Sequence, residues 1–229
     1  RGRADAVRVG VTGSVGKTGV KEAIFAALDR SSRGAAHRSV RSYNNHVGVP
    51  LSLARMPSRT KFGVFEMGMN HAGEIDALTA HVRPHVAVVT TIAPAHMEFF
   101  VSEEAIADAK GEIFEGLSGE GVAVVNLDDP YASLWTSLAG TRRILGFGLD
   151  PAAVARLDRG LGHLPVAPRG LHRLGPNRDG QLRIGTAHHR RLRHARHVER
   201  PEHRAGLVVV GNLLRLGDLR LARERVGYM

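Results

Sequence analysis

The sequence contains no cysteine among its 229 residues, and this absence excludes several kinds of site. Without thiols there is no disulfide framework, no thiolate metal site and no cysteine nucleophile. The apolar runs are also short, well below the roughly 20 residues that a membrane-spanning helix needs. No signal-like segment opens the chain. We therefore expect a cytoplasmic protein without a membrane segment.

Aromatic residues and lysines are scarce, and the charge is unevenly distributed. The chain has one Trp, three Tyr and seven Phe, and Tyr228 is the single aromatic residue within 151–229. Residues 1–150 contain 12 Arg and 4 Lys against 16 acidic residues. Residues 151–229 contain 16 Arg and no Lys against 6 acidic residues, so they carry the whole formal net charge of +10. This shift predicts a domain boundary near residue 150.

The basic segment at 151–229 has three interpretations. A basic polyanion-binding module would neutralise phosphates and would be expected to offer aromatic stacking platforms, which this segment lacks apart from Tyr228. The segment can instead be a divergent or disordered extension of the preceding domain. It can also be a stretch translated out of frame from a GC-rich gene, which would replace Lys by Arg and remove hydrophobic periodicity. We rank the last slightly above the second, and both above nucleic-acid binding.

Residues 1–150 alternate short apolar runs with helical patterns. The predicted strands are Val7–Thr12, Phe62–Phe65, Val86–Ile92 and Val122–Val125. The predicted helices cover Lys17–Arg30, Gly73–Val82, the segment from a Ser102 cap to about Leu117, and Pro130–Leu138. This alternation predicts an α/β fold with a doubly wound, mostly parallel sheet. The wholly apolar strands agree, because parallel strands are covered on both faces.

The strongest local motif is the segment TGSVGKT at 12–18, between the first predicted strand and helix. Glycines let backbone N–H groups approach phosphate oxygens, and the helix N-terminus adds partial positive charge. Lys17 would reach the terminal phosphates, and the Thr18 hydroxyl would bind Mg²⁺. The residues expected to form the nucleotide-binding loop are Gly13, Ser14, Val15, Gly16, Lys17 and Thr18. The motif predicts nucleotide binding in preference to an ordinary glycine-rich turn.

Polar side chains follow the other predicted strands at their carboxyl ends. Glu66 comes after the second strand, and His96 comes after the third. Asn126, Asp128 and Asp129 follow the fourth. Ligands of open α/β sheets bind at this edge. Carboxylate oxygens and imidazole are suitable ligands for a cation held with a nucleotide. The sequence therefore predicts a metal–nucleotide site beside the phosphate loop.

Six motifs, in order, resemble the central ATPase domain of the Mur ligases. They lie at 12–18, 43–51, 65–70, 93–100, 107–114 and 126–129. The second and third favour the branch that adds D-Ala-D-Ala over relatives that add earlier stem residues or act on folate. The resemblance implies an ATP-dependent ligase of peptidoglycan synthesis, which activates the carboxylate of UDP-N-acetylmuramoyl-tripeptide as an acyl phosphate. The alternatives are another amide ligase of the superfamily and a basic polyanion-binding module on an ATPase-like scaffold.

The resemblance also implies roles for matched residues. Lys17 and Thr18 would hold the ATP phosphates and Mg²⁺, and Glu66 and His96 would bind the magnesium ion. Lys110 matches a lysine that is carbamylated in this family, where the modified side chain serves as a carboxylate-like metal ligand. Lys17, His96 and Lys110 would thus take part in catalysis.

Two further matched residues, Asn45 and His46, would lie near the nucleotide and the acceptor substrate. The family's N-terminal UDP-binding domain and its C-terminal closing domain have no counterpart in the sequence. We therefore expect a monomeric fragment that binds nucleotide weakly and does not ligate, with small-molecule substrates and no nucleic-acid partner.

Overall fold

The computed structural model describes residues 6–93 and 99–148, which form an α/β fold. The strands are β1 (Val7–Thr12), β2 (Ala36–Arg38), β3 (Phe62–Glu66), β4 (Val86–Val89), β5 (Val122–Asn126) and β6 (Arg143–Phe147). The helices are α1 (Lys17–Ser32), α2 (Gly48–Ala54), α3 (Glu74–Val82), α4 (Glu103–Gly111) and α5 (Ala132–Ala139), with a 3₁₀ turn at Glu112–Phe114. Within these residues, no helix combines the length and the apolarity needed to cross a membrane.

The sheet has six strands in the order β2-β3-β1-β4-β5-β6, and every neighbouring pair is parallel. The prediction of a doubly wound parallel sheet is thereby confirmed. Strand β1 lies between β3 and β4, so the loop after β1 meets the carboxyl ends of both neighbours. Polar residues that are far apart in the sequence converge at this edge.

Alternate residues of the central strands pack into two apolar layers, one on each face of the sheet. In β4, Ala87 and Val89 face the layer that includes Ile106 and Trp135 of α4 and α5. Val86 and Val88 face the other layer, which contains the buried residues of α1. The indole of Trp135 is fully buried, and its Nε1 donates to the Ala107 carbonyl at 3.1 Å. Helix α5 thereby holds α4 in place.

Most predicted elements are present, with small differences at their ends. The Ser102 cap is confirmed, since its hydroxyl accepts from the Ala105 N–H at 3.1 Å. Strand β4 is shorter than predicted and ends at Val89, because the Ile92 N–H binds the Asp129 carboxylate instead of a neighbouring strand.

Elements β2, α2 and β6 were not predicted. Strand β2 is a three-residue, half-buried edge strand, and α2 is a seven-residue helix that contains a proline. Strand β6 begins with an arginine at the other edge of the sheet. Short edge elements of this kind show little hydrophobic periodicity. Residues 151–229 lie outside the described residues, so the three interpretations of this segment stay predictions.

Candidate functional site

The loop between β1 and α1 has a backbone that only glycine accommodates at two positions. Gly13 has φ +143° and Gly16 has φ +81°. A Cβ on Gly13 would lie 1.9 Å from the Thr90 hydroxyl oxygen. Gly16 directly precedes α1, whose first backbone N–H groups have no partners within the helix. These free N–H groups make the start of α1 suitable for an anion.

Two hydrogen bonds hold this loop against the end of β4. The Ser14 N–H donates to the Thr91 carbonyl at 2.8 Å, and the Thr90 hydroxyl donates to the Val15 carbonyl at 2.7 Å. The loop is therefore fixed before any ligand binds.

The side chains of the loop fit a bound phosphate. The Ser14 hydroxyl is buried and has no hydrogen-bond partner among the described residues, and the same holds for the Thr12 hydroxyl at the end of β1. Buried polar groups are normally paired, so a donor left free in a glycine-rich loop fits an anionic ligand. The Lys17 ammonium donates to the Gly13 and Ser14 carbonyls at 2.7 and 2.9 Å. Burial lowers the pKa of Lys17, although the Glu66 carboxylate acts in the opposite direction.

The Glu66 carboxylate at the end of β3 is the centre of a polar cluster next to the loop. Its side chain is 1% exposed. Oε2 accepts from the Thr18 hydroxyl at 2.9 Å, and Oε1 accepts from the Asn44 carboxamide at 3.0 Å. The Lys21 ammonium lies 3.5 Å from Oε2. The adjacent hydroxyl and carboxylate oxygens of Thr18 and Glu66 are the ligand type that Mg²⁺ prefers.

Lys110, in the last turn of α4, is buried and close to the same loop. It is 1% exposed, although its place within a polar helical stretch is typical of a surface lysine. Burial, with repulsion from the Lys17 ammonium as a second cause, lowers the pKa of Lys110 to about 7. Within the described residues, no hydrogen bond or ion pair compensates its charge. The structure thus brings Lys17, Thr18, Glu66 and Lys110 into one region.

The polar residues at the end of β5 support the other side of the loop. The Asn126 carboxamide donates to the Thr90 carbonyl at 3.1 Å and accepts from the Asp128 N–H at 3.1 Å. Asp128 itself is exposed, and a Cβ on Gly148 would lie 2.5 Å from its Oδ1. Contacts of Asn126 and Asp128 with a nucleotide stay predictions.

Asp129 is buried beside them and holds the end of β4. Its Oδ2 accepts from the Thr91 hydroxyl and the Ile92 N–H, both at 2.8 Å. Its Oδ1 accepts from the Tyr131 N–H at 3.0 Å. Sequence reasoning placed Asp129 at this edge, and the tertiary structure adds its bonds to the end of β4.

Two other predicted residues lie on the segment between β2 and α2. The Asn45 side-chain oxygen accepts from the N–H groups of Val47 and Gly48 at 3.2 and 2.9 Å, so it stabilises the start of α2. His46 is exposed. Their roles toward nucleotide and acceptor stay predictions. His96 lies outside the described residues, and within those residues no group of three or more acidic or histidine side chains forms a metal cluster.

Two residues of the Glu66 cluster, Lys21 and Asn44, were missed as site residues. Lys21 follows Thr18 by three residues, so the two side chains share one face of α1. That spacing is the signal that could have identified Lys21. Asn44 directly precedes Asn45 within the 43–51 motif, and only the tertiary structure shows which of the two asparagines reaches Glu66.

Curated relatives are similar in sequence over most of this region. The chain is 36% identical over 167 residues to the UDP-N-acetylmuramoyl-tripeptide–D-alanyl-D-alanine ligase of Haemophilus influenzae, a match that covers 71% of this chain and 36% of the relative. It is 44% identical over 122 residues to the ligase of the same name from Bacillus subtilis, a match that covers 53% of this chain and 26% of the relative. The chain thus spans about a third or less of the length of these relatives.

Solved structures show the same similarity. Crystal structure I of MurF from Acinetobacter baumannii matches with a TM-score of 0.61 and 35% identity, covering 64% of this chain and 32% of that one. The MurF ligase of Thermotoga maritima in complex with ADP matches with a TM-score of 0.57 and 33% identity. This match covers 63% of this chain and 33% of the Thermotoga maritima chain. The family model of the Mur ligase middle domain matches residues 11–161, which extends past the boundary predicted near residue 150. This chain therefore belongs to the Mur ligase middle domain family.

Proposed function

We propose that this chain is the ATP-binding part of a ligase that joins D-Ala-D-Ala to UDP-N-acetylmuramoyl-tripeptide. The observation that carries the proposal is the convergence of a glycine-rich loop, a buried carboxylate and a buried lysine. Lys17, Glu66 and Lys110 come from three different elements and meet beside β1. The names of the relatives supply the substrate class, and the ADP complex of the Thermotoga maritima enzyme supports the nucleotide.

In this proposal the loop binds the ATP phosphates. The free N–H groups at the start of α1 and the Ser14 hydroxyl would donate to phosphate oxygens. Lys17 would exchange its two loop carbonyls for phosphate oxygens and balance their charge. Phosphoryl transfer to the substrate carboxylate depends chiefly on such positioning and charge neutralisation. The acyl phosphate that results is then attacked by the dipeptide amine, which forms the amide bond and releases phosphate.

Thr18, Glu66 and Lys110 would hold magnesium, together with His96. A bound Mg²⁺ would neutralise charge on the transferring phosphoryl group. The Thr18 hydroxyl and one Glu66 oxygen already lie 2.9 Å apart, and both are hard oxygen ligands. Lys110 would contribute after carbamylation: its ammonium releases one proton to water, and the neutral amine adds to CO₂ and releases a second. The product would be an anionic oxygen ligand. Burial of Lys110 favours the neutral amine that this reaction requires.

Nucleotide binding by the chain is the first test. Titration with a fluorescent ADP analogue in the presence of Mg²⁺ should show saturable binding that Lys17→Met and Thr18→Ala each weaken. Lys61→Met is the matched control, because Lys61 is exposed on the segment before β3. The nucleotide assignment fails if ADP does not bind, or if Lys17→Met and Lys61→Met bind it equally well.

A chimera tests the substrate class. Residues 11–161 would replace the matching part of the Haemophilus influenzae ligase, and phosphate release would be measured with ATP and UDP-N-acetylmuramoyl-tripeptide. We expect release that depends on D-Ala-D-Ala and is lost when Lys17→Met is introduced. Release that requires a different amine would assign the chain to another amide ligase of the superfamily.

A further inference from the structure

The ammonium group of Lys21 is buried against the site without being part of the phosphate loop. Its side chain is 0% exposed, an unusual position for a lysine unless its charge is paired. Three oxygens surround Nζ: the Arg41 carbonyl at 2.6 Å, Glu22 Oε1 at 3.3 Å and Glu66 Oε2 at 3.5 Å. The three donors of an ammonium group match these three acceptors.

Of the two carboxylates, Glu66 is the one that depends on Lys21. The Glu22 side chain is 43% exposed and also pairs with Arg38 at 2.8 Å, so solvent and a second cation stabilise its charge. The Glu66 side chain is 1% exposed, and its hydrogen-bond partners, Thr18 and Asn44, are neutral. The Lys17 ammonium also attracts Glu66, but of the two lysines Lys21 is the one that forms an ion pair with it. A buried carboxylate that loses its cation is strongly destabilised.

Lys21 also connects Glu66 to the segment that carries Asn44. The Arg41 carbonyl that Lys21 binds lies three residues before Asn44, and Arg41 itself has φ +50°. The Asn44 carbonyl accepts from the Gly68 N–H at 2.8 Å, and a Cβ on Gly68 would lie 2.9 Å from the Asn44 carboxamide carbon. The segment from Arg41 to Asn44 is therefore held by α1 at one end and by the residues that follow β3 at the other.

We infer that Lys21 is a positioning residue of the metal–nucleotide site, a role that rests on the proposed function. With Asn44 on Oε1 and Lys21 beside Oε2, the carboxylate has one orientation, and that orientation directs Oε2 to the Thr18 hydroxyl. Thr18 and Lys21 lie one turn apart on α1, so a single helix supplies both groups beside this oxygen. Lys21 thereby keeps the Glu66 carboxylate aligned for a divalent cation without touching the nucleotide.

The test separates metal binding from nucleotide binding. Affinity for a fluorescent ADP analogue would be measured without metal and over a range of Mn²⁺ concentrations, for the full chain and for Lys21→Met. Residues that orient metal ligands typically change metal affinity by about 10–100-fold when they are replaced. We therefore expect Lys21→Met to raise the half-saturating Mn²⁺ concentration at least about tenfold, with little change in metal-free ADP affinity. Lys61→Met is the control and should match the parent.

Two further variants keep the inference falsifiable if Lys21→Met does not fold. Lys21→Arg retains the charge and should recover most of the Mn²⁺ response. Asn44→Ala removes the Oε1 partner and should weaken the response in the same direction as Lys21→Met. A normal Mn²⁺ response in folded Lys21→Met would overturn the positioning role. An equal loss of ADP affinity in the presence and absence of Mn²⁺ would also overturn it. In either case ADP binding by the parent chain would leave the proposed function standing, whereas absence of ADP binding by the parent would overturn both.

Discussion

Two buried carboxylates at the same edge of the sheet, Glu66 and Asp129, have different kinds of partners. Asp129 accepts from two backbone N–H groups and from the Thr91 hydroxyl, so both of its oxygens are used in holding β4 and the turn after β5. The Glu66 carboxylate is bound only by side chains, namely a hydroxyl, a carboxamide and an ammonium, among the described contacts. Side-chain partners can rearrange for a ligand, whereas backbone partners are part of the fold.

The same difference separates two residues on neighbouring turns, Lys110 and Glu112. Glu112 Oε1 accepts from the Gly73 N–H at 2.7 Å and Oε2 from the Asp76 N–H at 3.0 Å, so the side chain stabilises the start of α3. Lys110 is buried two residues earlier with a lowered pKa. We expect the two carboxylates bonded to backbone N–H groups, Asp129 and Glu112, to stabilise the fold. Glu66 and Lys110 are expected to serve chemistry at a cost in stability. Four variants test this contrast.

The largest effect is expected for Lys110→Met as the pH is changed. The pKa of Lys110 is lowered to about 7 in the fold, so between pH 7 and 10 the unfolded chain binds more protons at this residue than the folded chain. Stability of the parent should therefore rise with pH across this window relative to Lys110→Met, by up to about 4 kcal/mol. At pH 6 the variant should be the more stable of the two. Urea unfolding in CO₂-free buffers from pH 6 to 10 measures the difference in unfolding free energy between the parent and Lys110→Met. A difference that does not change with pH would contradict the prediction.

Glu66→Gln should abolish most of the metal dependence of nucleotide binding. Glutamine retains the size of the side chain but offers Mg²⁺ a neutral ligand, and we expect a loss of about 100-fold in Mn²⁺ affinity. Calorimetric titration of Mn²⁺ into the ADP-bound chain measures this. Asp129→Asn is the paired control with the same chemical change. If both variants lose metal affinity equally, the distinction between the two carboxylates is wrong.

Asp129→Asn should mainly reduce stability. The variant removes a charged acceptor from the Thr91 hydroxyl and the Ile92 N–H, and we expect a loss of about 2 kcal/mol in the free energy of unfolding. Urea unfolding followed by circular dichroism measures the loss. A variant with unchanged stability and weakened Mn²⁺ binding would place Asp129 in the metal site instead.

The smallest effect is expected for Glu112→Gln. Its carboxylate lies at the positive end of the α3 dipole, and a neutral carboxamide should lower the free energy of unfolding by about 1 kcal/mol. Nucleotide affinity should stay unchanged, because the Glu112 carboxylate contacts the start of α3 and not the phosphate loop. Glu120→Gln, at an exposed position before β5, is the control for loss of one negative charge. A loss of metal binding in Glu112→Gln alone would show that the side chain also acts on Lys110.

Much of the fold could be predicted because its signals are local. Apolar runs such as Val122–Val125, the serine that caps α4 and the glycines of the phosphate loop follow from rules that involve only nearby residues. Strand β2 and helix α2 escaped prediction because they are short and obtain their order from neighbours: β2 pairs with β3, and α2 packs mainly against α3. These two elements form because of contacts with residues that are distant in the sequence.

The sequence by itself determined the chemistry available to this protein: a loop that can bind phosphate, and carboxylate, hydroxyl and lysine groups at predictable strand ends and on a helix. Only the tertiary structure decided which of these groups face one another. Burial and orientation depend on the packing of β3, β1, β4 and α4, which left the Glu66 carboxylate bonded to side chains and the Asp129 carboxylate bonded mainly to backbone N–H groups. The same packing buried Lys21 and Lys110, which by position alone are ordinary helical lysines.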